Sequence, residues 1–203
     1  AKELRSTIPY DPVKAIGLYR RAATKQFSDA GYTALQAAFG YIFHIGHLPL
    51  DWGLIADLTH IAATKDRFIF ALPYIGYMRI HGLGVTKNIR FGVQSLLRVL
   101  DEEQRAFEEE NRVLFYDITR ALTRVALGYA YEKGYVTGKP DLTQAISYYE
   151  QSHQYILSHK ANLDPELKDI PIDDEAEERL AAFEEVDGHW QYKEGITEST
   201  TMV

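Results

Sequence analysis

The chain has 203 residues, 46% hydrophobic, 25% charged and 12% aromatic, with a formal net charge of −7 and no cysteine. That length fits one domain, or one domain plus a tail, and suffices to bury a core unaided. The absence of cysteine excludes disulfide frameworks, cysteine-ligated zinc, thiolate-held iron–sulfur clusters and thiol catalysis. The acidic total argues against general nucleic-acid binding.

The charge is unevenly placed. Residues 1–100 carry 12 Lys and Arg against 6 Asp and Glu, residues 101–112 carry 2 against 6, and residues 160–203 carry 4 against 13. The acid therefore sits in one short insert and one tail. No run of about 18 apolar residues predicts a membrane span. Residues 1–10 lack the apolar core of a secretory signal. A chain starting at Ala1 fits a processed N-terminus, in a mitochondrion or a periplasm, or an arbitrary starting point.

Helix signals dominate in chain order. Pro12 to Ala23 places apolar residues at three- and four-residue steps behind Asp11, a good N-cap, with Pro12 at the first helical position. Three glycine pairs with one spacing follow: Gly40/Gly46, Gly76/Gly82 and Gly128/Gly134. The first Gly of each pair lies inside an apolar helix, where it disfavours the helix by about 1 kcal/mol against Ala. Its recurrence therefore predicts close helix–helix approach. The second lies where a left-handed C-cap should end the helix. A polar turn then reaches Asp51, Asn88 or Asp141, each an N-cap for a second helix. Pro73 should kink its helix or move the helix start. Strand signals are weak, and no alternating segment is read as leading into an Asn-Gly or Asp-Gly hairpin turn.

The repeated order of helix A, glycine turn, cap and helix B resembles the Sel1-like repeat, a relative of the tetratricopeptide solenoids. Residues 121–152 carry the resemblance best, with Leu127-Gly128, Tyr131, Gly134, Asp141, Ala145 and the Tyr148-Tyr149 pair. Residues 75–85 give Gly82, Gly84 and Val85. Residues 11–23 look like a lone helix B. The spacing is irregular, and Arg79 stands where the last unit has Tyr131.

The expected fold is all-α, a right-handed α-solenoid of helix-turn-helix units with a C-terminal extended or helical arm. The solenoid spans 1–159, with an N-terminal helix at 11–25, units at about 30–65, 67–100 and 112–158, and the acidic insert at 101–112. The arm spans 160–203, with a short acidic helix at 173–186 after Pro165 and Pro171. Its partner surface would be a neighbouring subunit or the basic first half.

By the resemblance, helices A line a concave groove. The position after each conserved small residue is Tyr41, Tyr77 or Tyr129. One turn later come His44, Ile80 and Glu132, then Ile45, His81 and Lys133. The expected partner-binding set is Tyr41, His44, Tyr77, His81, Tyr129, Glu132 and Lys133, with Trp190 on the arm. Aromatic rings with polar tips suit a partner's helix or extended peptide. The other reading of the tyrosines is packing between helices.

The resemblance implies a non-enzymatic protein–protein interaction module: a scaffold, assembly factor or accessory subunit. Partner peptides or helices would lie in the groove, with no specific nucleic acid and at most peripheral membrane contact. No cofactor and no metal is expected, since His44 and His47 lack an accompanying Glu. The alternative is a nucleotidyltransferase built on His44-Ile45-Gly46-His47, a string that in such enzymes sits over phosphates at a helix N-terminus. Neither a clear preceding strand nor a second lysine-rich loop supports it.

Overall fold

The computed structural model describes residues 12–25, 30–42, 50–65, 68–107, 114–160 and 171–196. Eight helices lie in these stretches: α1 (Pro12–Thr24), α2 (Ala30–Ile42), α3 (Trp52–Lys65), α4 (Phe68–His81), α5 (Ile89–Phe107), α6 (Leu114–Glu132), α7 (Leu142–Lys160) and α8 (Pro171–Ala181). Two short strands follow, β1 (Phe183–Val186) and β2 (His189–Tyr192).

The three caps that fall in described residues act as the sequence predicts. Asp51, Asn88 and Asp141 accept the backbone N–H three residues on, at 3.0, 3.0 and 3.1 Å. Each side chain satisfies a donor that the first turn leaves orphaned. Gly134, at φ +70°, ends α6, and the Tyr135 N–H closes back onto the Ala130 carbonyl at 2.8 Å. Gly82 plays the same part after α4 at φ +80°. The repeat also recurs in the turn: the N–H groups of Asn88 and Asp141 donate to the carbonyls of Arg79 and Tyr131, at 2.8 and 3.0 Å. Asp11 and Gly46 lie outside the described residues. Pro73 sits inside α4, which runs on past it.

Consecutive helices pack as pairs, α2 with α3, α4 with α5 and α6 with α7, and each pair leans on the next. Helix α1 closes on α2 and α3. This is an all-helical solenoid. The main apolar cluster runs from Ile16 on α1 through Leu35, Ile55, Tyr74, Leu122 and Tyr149 to Ala176 and Phe183. A second cluster, with Ile80, Leu96 and Leu127, binds α4 to α5 and α6.

The mid-helix glycines mark the close approaches. A Cβ at Gly76 would stand 2.6 Å from Leu96 Cγ on α5, and one at Gly128 would stand 2.6 Å from the Tyr149 ring on α7. Gly40 instead faces Ile16 of α1, so the first unit uses its glycine against the preceding helix.

The C-terminal arm departs from expectation. Helix α8 stops at Ala181, and residues 183–186, expected to be helical, form β1. Asp187 and Gly188, at φ 52° and 77°, make the two-residue turn that pairs Val186 with His189. Positive φ at both positions is the primed turn whose twist matches paired strands, and Asp-Gly is a favoured sequence for it. The hairpin and α8 dock on the chain's own repeats, against α7 and α6.

Two substitutions test the role of the glycines. Gly128→Ala overpacks a buried ring, which costs about 1–3 kcal/mol, against about 1 kcal/mol gained in helix propensity. We expect a net loss of up to about 2 kcal/mol in urea unfolding, given these opposing terms. Gly17→Ala on α1, where a Cβ meets nothing within 4 Å, should instead stabilise. Equal effects at both sites would contradict the close-approach role.

Candidate functional site

The site is built where α4 and α6 end side by side. Rings from three elements form one column. Trp52 at the start of α3 lies 6.0 Å from Tyr77, Tyr77 lies 4.5 Å from His81, and His81 lies 4.6 Å from Tyr129. Tyr135, just past α6, continues it edge-on at 6.1 Å from Tyr129. Of the predicted ladder, then, Tyr77 and Tyr129 are joined, and the joint is His81. Tyr41 is buried in the main cluster near the end of α2. His44 and the His-Ile-Gly-His string at 44–47 lie outside the described residues.

Glu132 sits at the end of α6 and is only 1% exposed. Its carboxylate accepts a hydrogen bond from the Tyr149 hydroxyl of α7 at 2.7 Å and another from Tyr192 of β2 at 2.8 Å. Arg179 of α8 donates through Nη1 to both oxygens at 3.1 Å. The Lys133 ammonium lies 2.9 Å from Oε1. A buried carboxylate is tolerated only when such partners replace its water. Burial alone would raise the Glu132 carboxyl; Arg179 and the hydrogen bonds from Lys133, Tyr149 and Tyr192 outweigh it and hold the group below the usual carboxylate range.

Arg179 is the second hub. Its guanidinium carbon stands 4.8 Å from the Tyr129 ring centroid, a cation–π distance. Its Nε lies 3.9 Å from Glu175, one turn earlier on α8. Glu175 in turn accepts the Tyr77 hydroxyl at 3.0 Å. Burial raises the Glu175 carboxyl, Arg179 and Tyr77 oppose the rise, and the nearby charges of Glu132 and Glu178 reinforce it. One guanidinium thus serves two carboxylates, and Glu132 takes the better geometry.

The predicted groove residues are therefore covered. Tyr77, His81, Tyr129, Glu132 and Lys133 come together beneath the chain's own arm. Trp190 packs against the main cluster from β2. The polarity of docking is reversed as well. The charge pattern suggests an acidic arm on a neighbour or on the basic first half, yet the arm's central contact is its own cation on a carboxylate of the last repeat. Net charge acts through screened solvent, whereas this pair is in contact and dry.

Sequence reasoning missed Arg179, Glu175, Tyr149 and Tyr192 as members of the site. One signal was present: Arg179 is the only Lys or Arg between residues 169 and 192, inside a strongly acidic run. The Asp187-Gly188 turn between FEEV and HWQY was the other. Among the described residues, no group of three or more His, Asp or Glu is placed to hold a metal ion. No described helix is long and apolar enough to cross a membrane.

Removing Arg179 should leave the buried Glu132 carboxylate without its guanidinium, with Lys133, Tyr149 and Tyr192 as its remaining partners. Arg179→Ala is expected to lose about 3–5 kcal/mol. The double variant Glu132→Gln with Arg179→Gln should lose clearly less than the sum of its single changes in a urea-unfolding cycle at neutral pH. Additive losses would mean that the pair does not interact.

The site also sets a pH response. Burial, then the charges of Arg179 and Lys87, push the His81 imidazole from 6.5 down to about 4. Its Nε2 is buried without a hydrogen-bond partner. The groups facing it are Tyr77, Tyr129, Arg179 and Lys87. Because the folded value lies below the unfolded one, the unfolded chain takes up this proton first. Stability should therefore fall as pH drops from 6.5 toward 4. Glu175 opposes this fall, since a raised folded value favours the fold on protonation. Glu132 releases its stabilisation only below the ordinary carboxylate range. The melting temperature should fall over that window, and His81→Phe should flatten the fall. An unchanged slope in His81→Phe would show that another group is responsible.

The family model described as Sel1 repeat matches residues 4–27, 72–94 and 119–152. Among curated proteins and solved structures, none matches the chain. The second match covers the turn after α4 with its Gly82 and the Asn88 cap, and the third covers most of α6, the Gly134 turn and most of α7. With three Sel1 matches on a solenoid of paired helices, the chain is a Sel1-like repeat protein.

Proposed function

We propose that the chain works as a scaffold, assembly factor or accessory subunit that holds another protein on the helix A face of its repeats. Sel1 repeats generally mediate protein–protein interaction and are generally non-enzymatic. The observation that carries the reading is the aromatic column on α4 and α6, which already holds a helix, the chain's own α8. A face that seats one amphipathic helix through rings, a buried acid and an ion pair has the chemistry to seat another. Tyr77, His81, Tyr129, Glu132 and Lys133 form the proposed contact set. Trp190 extends it onto the arm, and the repeat pattern of the sequence adds Tyr41 and His44 of the first unit.

Two features favour a dedicated subunit over a general peptide receptor. The units are few and irregularly spaced, and the face carries a built polar site instead of a uniform apolar groove. The specificity of such a site comes from unpaired charge when the wrong partner binds.

Crosslinking and affinity purification of the full chain from its native source tests the reading. We expect a co-purifying protein crosslinked near α4, α6 or the arm. Tyr77→Ala, with helical content unchanged by circular dichroism, should reduce its recovery at least tenfold, whereas Gln94→Ala on the exposed side of α5 should not. Equal recovery with both variants would overturn the assignment of this face.

A further inference from the structure

The first and last helices carry opposite charge on their outer faces. Residues 12–25 hold four Lys and Arg and no acid, whereas residues 171–181 hold five acids and one Arg. That one cation, Arg179, is turned inward onto Glu132, so the charge left on the outside of α8 is acidic. On α1, Ile16 and Ala23 are buried, Ile16 against Gly40 of α2. Lys14, Leu18, Arg21 and Lys25 follow one another at steps of four, three and four, which puts them on the opposite side, and all four are exposed. On α8, Ala176 and Arg179 are buried, and Asp174, Glu177, Glu178 and Ala181 stand opposite and exposed. The hairpin that follows adds exposed Glu185, Val186 and Asp187.

A charged helix face by itself is ordinary solvated surface. Apolar surface beside the charge distinguishes these two. Of the seven large apolar side chains exposed among the described residues, Leu18, Tyr19 and Tyr32 lie on the first two helices and Val186 at the hairpin turn. Leu18, at 49%, is the most exposed of the seven and sits inside the basic stripe. The end units of a repeat array need a polar outer face. The docked arm provides one at the C-terminal end, whereas α1 leaves apolar surface open to water.

We propose that the basic outer face of α1 on one copy seats the acidic outer face of α8 and the hairpin on a second copy, so that the chain self-associates head to tail. Complementary charge selects this occupant. Each face meets opposite charge on the other and like charge against itself, which disfavours a two-fold dimer through either face. The stripes point away from the contacts that hold α1 on α2 and α3, and α8 on α6 and α7, so they meet only between chains. Every copy keeps one unused face of each sign, and growth continues beyond a pair. The arm stays docked throughout, with Arg179 on Glu132 and the hairpin in the core. Exposed charge pairs each contribute little, so the association is weak and salt-sensitive. The helix A face takes no part, and failure of this proposal leaves the function proposed above standing.

Sedimentation velocity of the full chain over a concentration series tests this. At about 0.1 M salt the average mass should rise with concentration above that of one chain, and it should fall back toward one chain at about 1 M, where the screening length shortens from about 10 to about 3 Å. Leu18→Gln/Lys25→Gln on α1, or Glu178→Gln/Glu185→Gln on the arm, should each weaken the association at least tenfold. All four positions are exposed, so the variants should fold, as circular dichroism checks. Each variant keeps one intact face. An equimolar mixture of the two should therefore form a one-to-one pair that neither forms alone.

The mass of one chain at every concentration and low salt overturns the proposal. Self-association that neither variant weakens places the contact elsewhere and overturns it as well. Variants that weaken the association but do not complement each other in the mixture show a two-fold contact, contrary to the head-to-tail order. Vesicles of phosphatidylserine and phosphatidylcholine provide the last control. Flotation of a single-chain species with them, lost in Leu18→Gln/Lys25→Gln, would make the occupant of α1 a lipid surface and overturn the second copy.

Discussion

A carboxylate with no access to water organises the C-terminal half of this protein. Glu132 must be ionised and surrounded by donors, and each donor comes from a different place: Lys133 beside it, Tyr149 from α7, Arg179 from α8 and Tyr192 from β2. Losing any one exposes the cost of the buried charge. The helix pair α6–α7, the arm helix and the hairpin are therefore tied to one atom group. A second largely buried ion pair, Asp117 with Arg120 at 2.9 Å, lies nearer the start of α6; elsewhere among the described residues apolar packing predominates.

The repeat geometry makes that corner possible. Gly128 lets Tyr149 lie against α6, which brings its hydroxyl to the Glu132 carboxylate. Gly134 then turns the chain away, so that Glu132 and Lys133 stand at an open helix end where a second segment can reach them. Unit two lacks the acid: its counterpart of Glu132 is Ile80, fully buried in apolar contacts. The same repeat frame thus yields an apolar packing position in one unit and the polar anchor of the arm in the next. His81 and Lys133, also counterparts, both lie against the Tyr129 ring, at 4.6 and 5.7 Å from its centroid.

Local chemistry was legible in the sequence. The caps at Asp51, Asn88 and Asp141, the glycine turns and the repeat itself depend on residues within a few positions of each other, and the glycine spacing exposed the close approaches. The candidate site was half legible. The repeat resemblance placed Tyr77, His81, Tyr129, Glu132 and Lys133 on one face, but not what lies over them. Arg179 is 47 residues from Glu132 and Tyr192 is 60; no periodicity links such positions. The hairpin was a different kind of miss. Asp187-Gly188 is a strong local turn signal, obscured by the Ala-, Leu- and Glu-rich run before it, which continues a helical pattern until the turn overrides it.

The central claim is that the arm lies on its own repeats through the Glu132 contact. The cysteine-free sequence allows a direct measurement: spin labels placed at Glu178→Cys on the exposed side of α8 and Arg90→Cys on α5, with the distance distribution read by pulsed electron resonance. A single narrow distribution that broadens on Glu132→Ala is the predicted result. A broad distribution in the otherwise unaltered chain, insensitive to Glu132, would contradict the account.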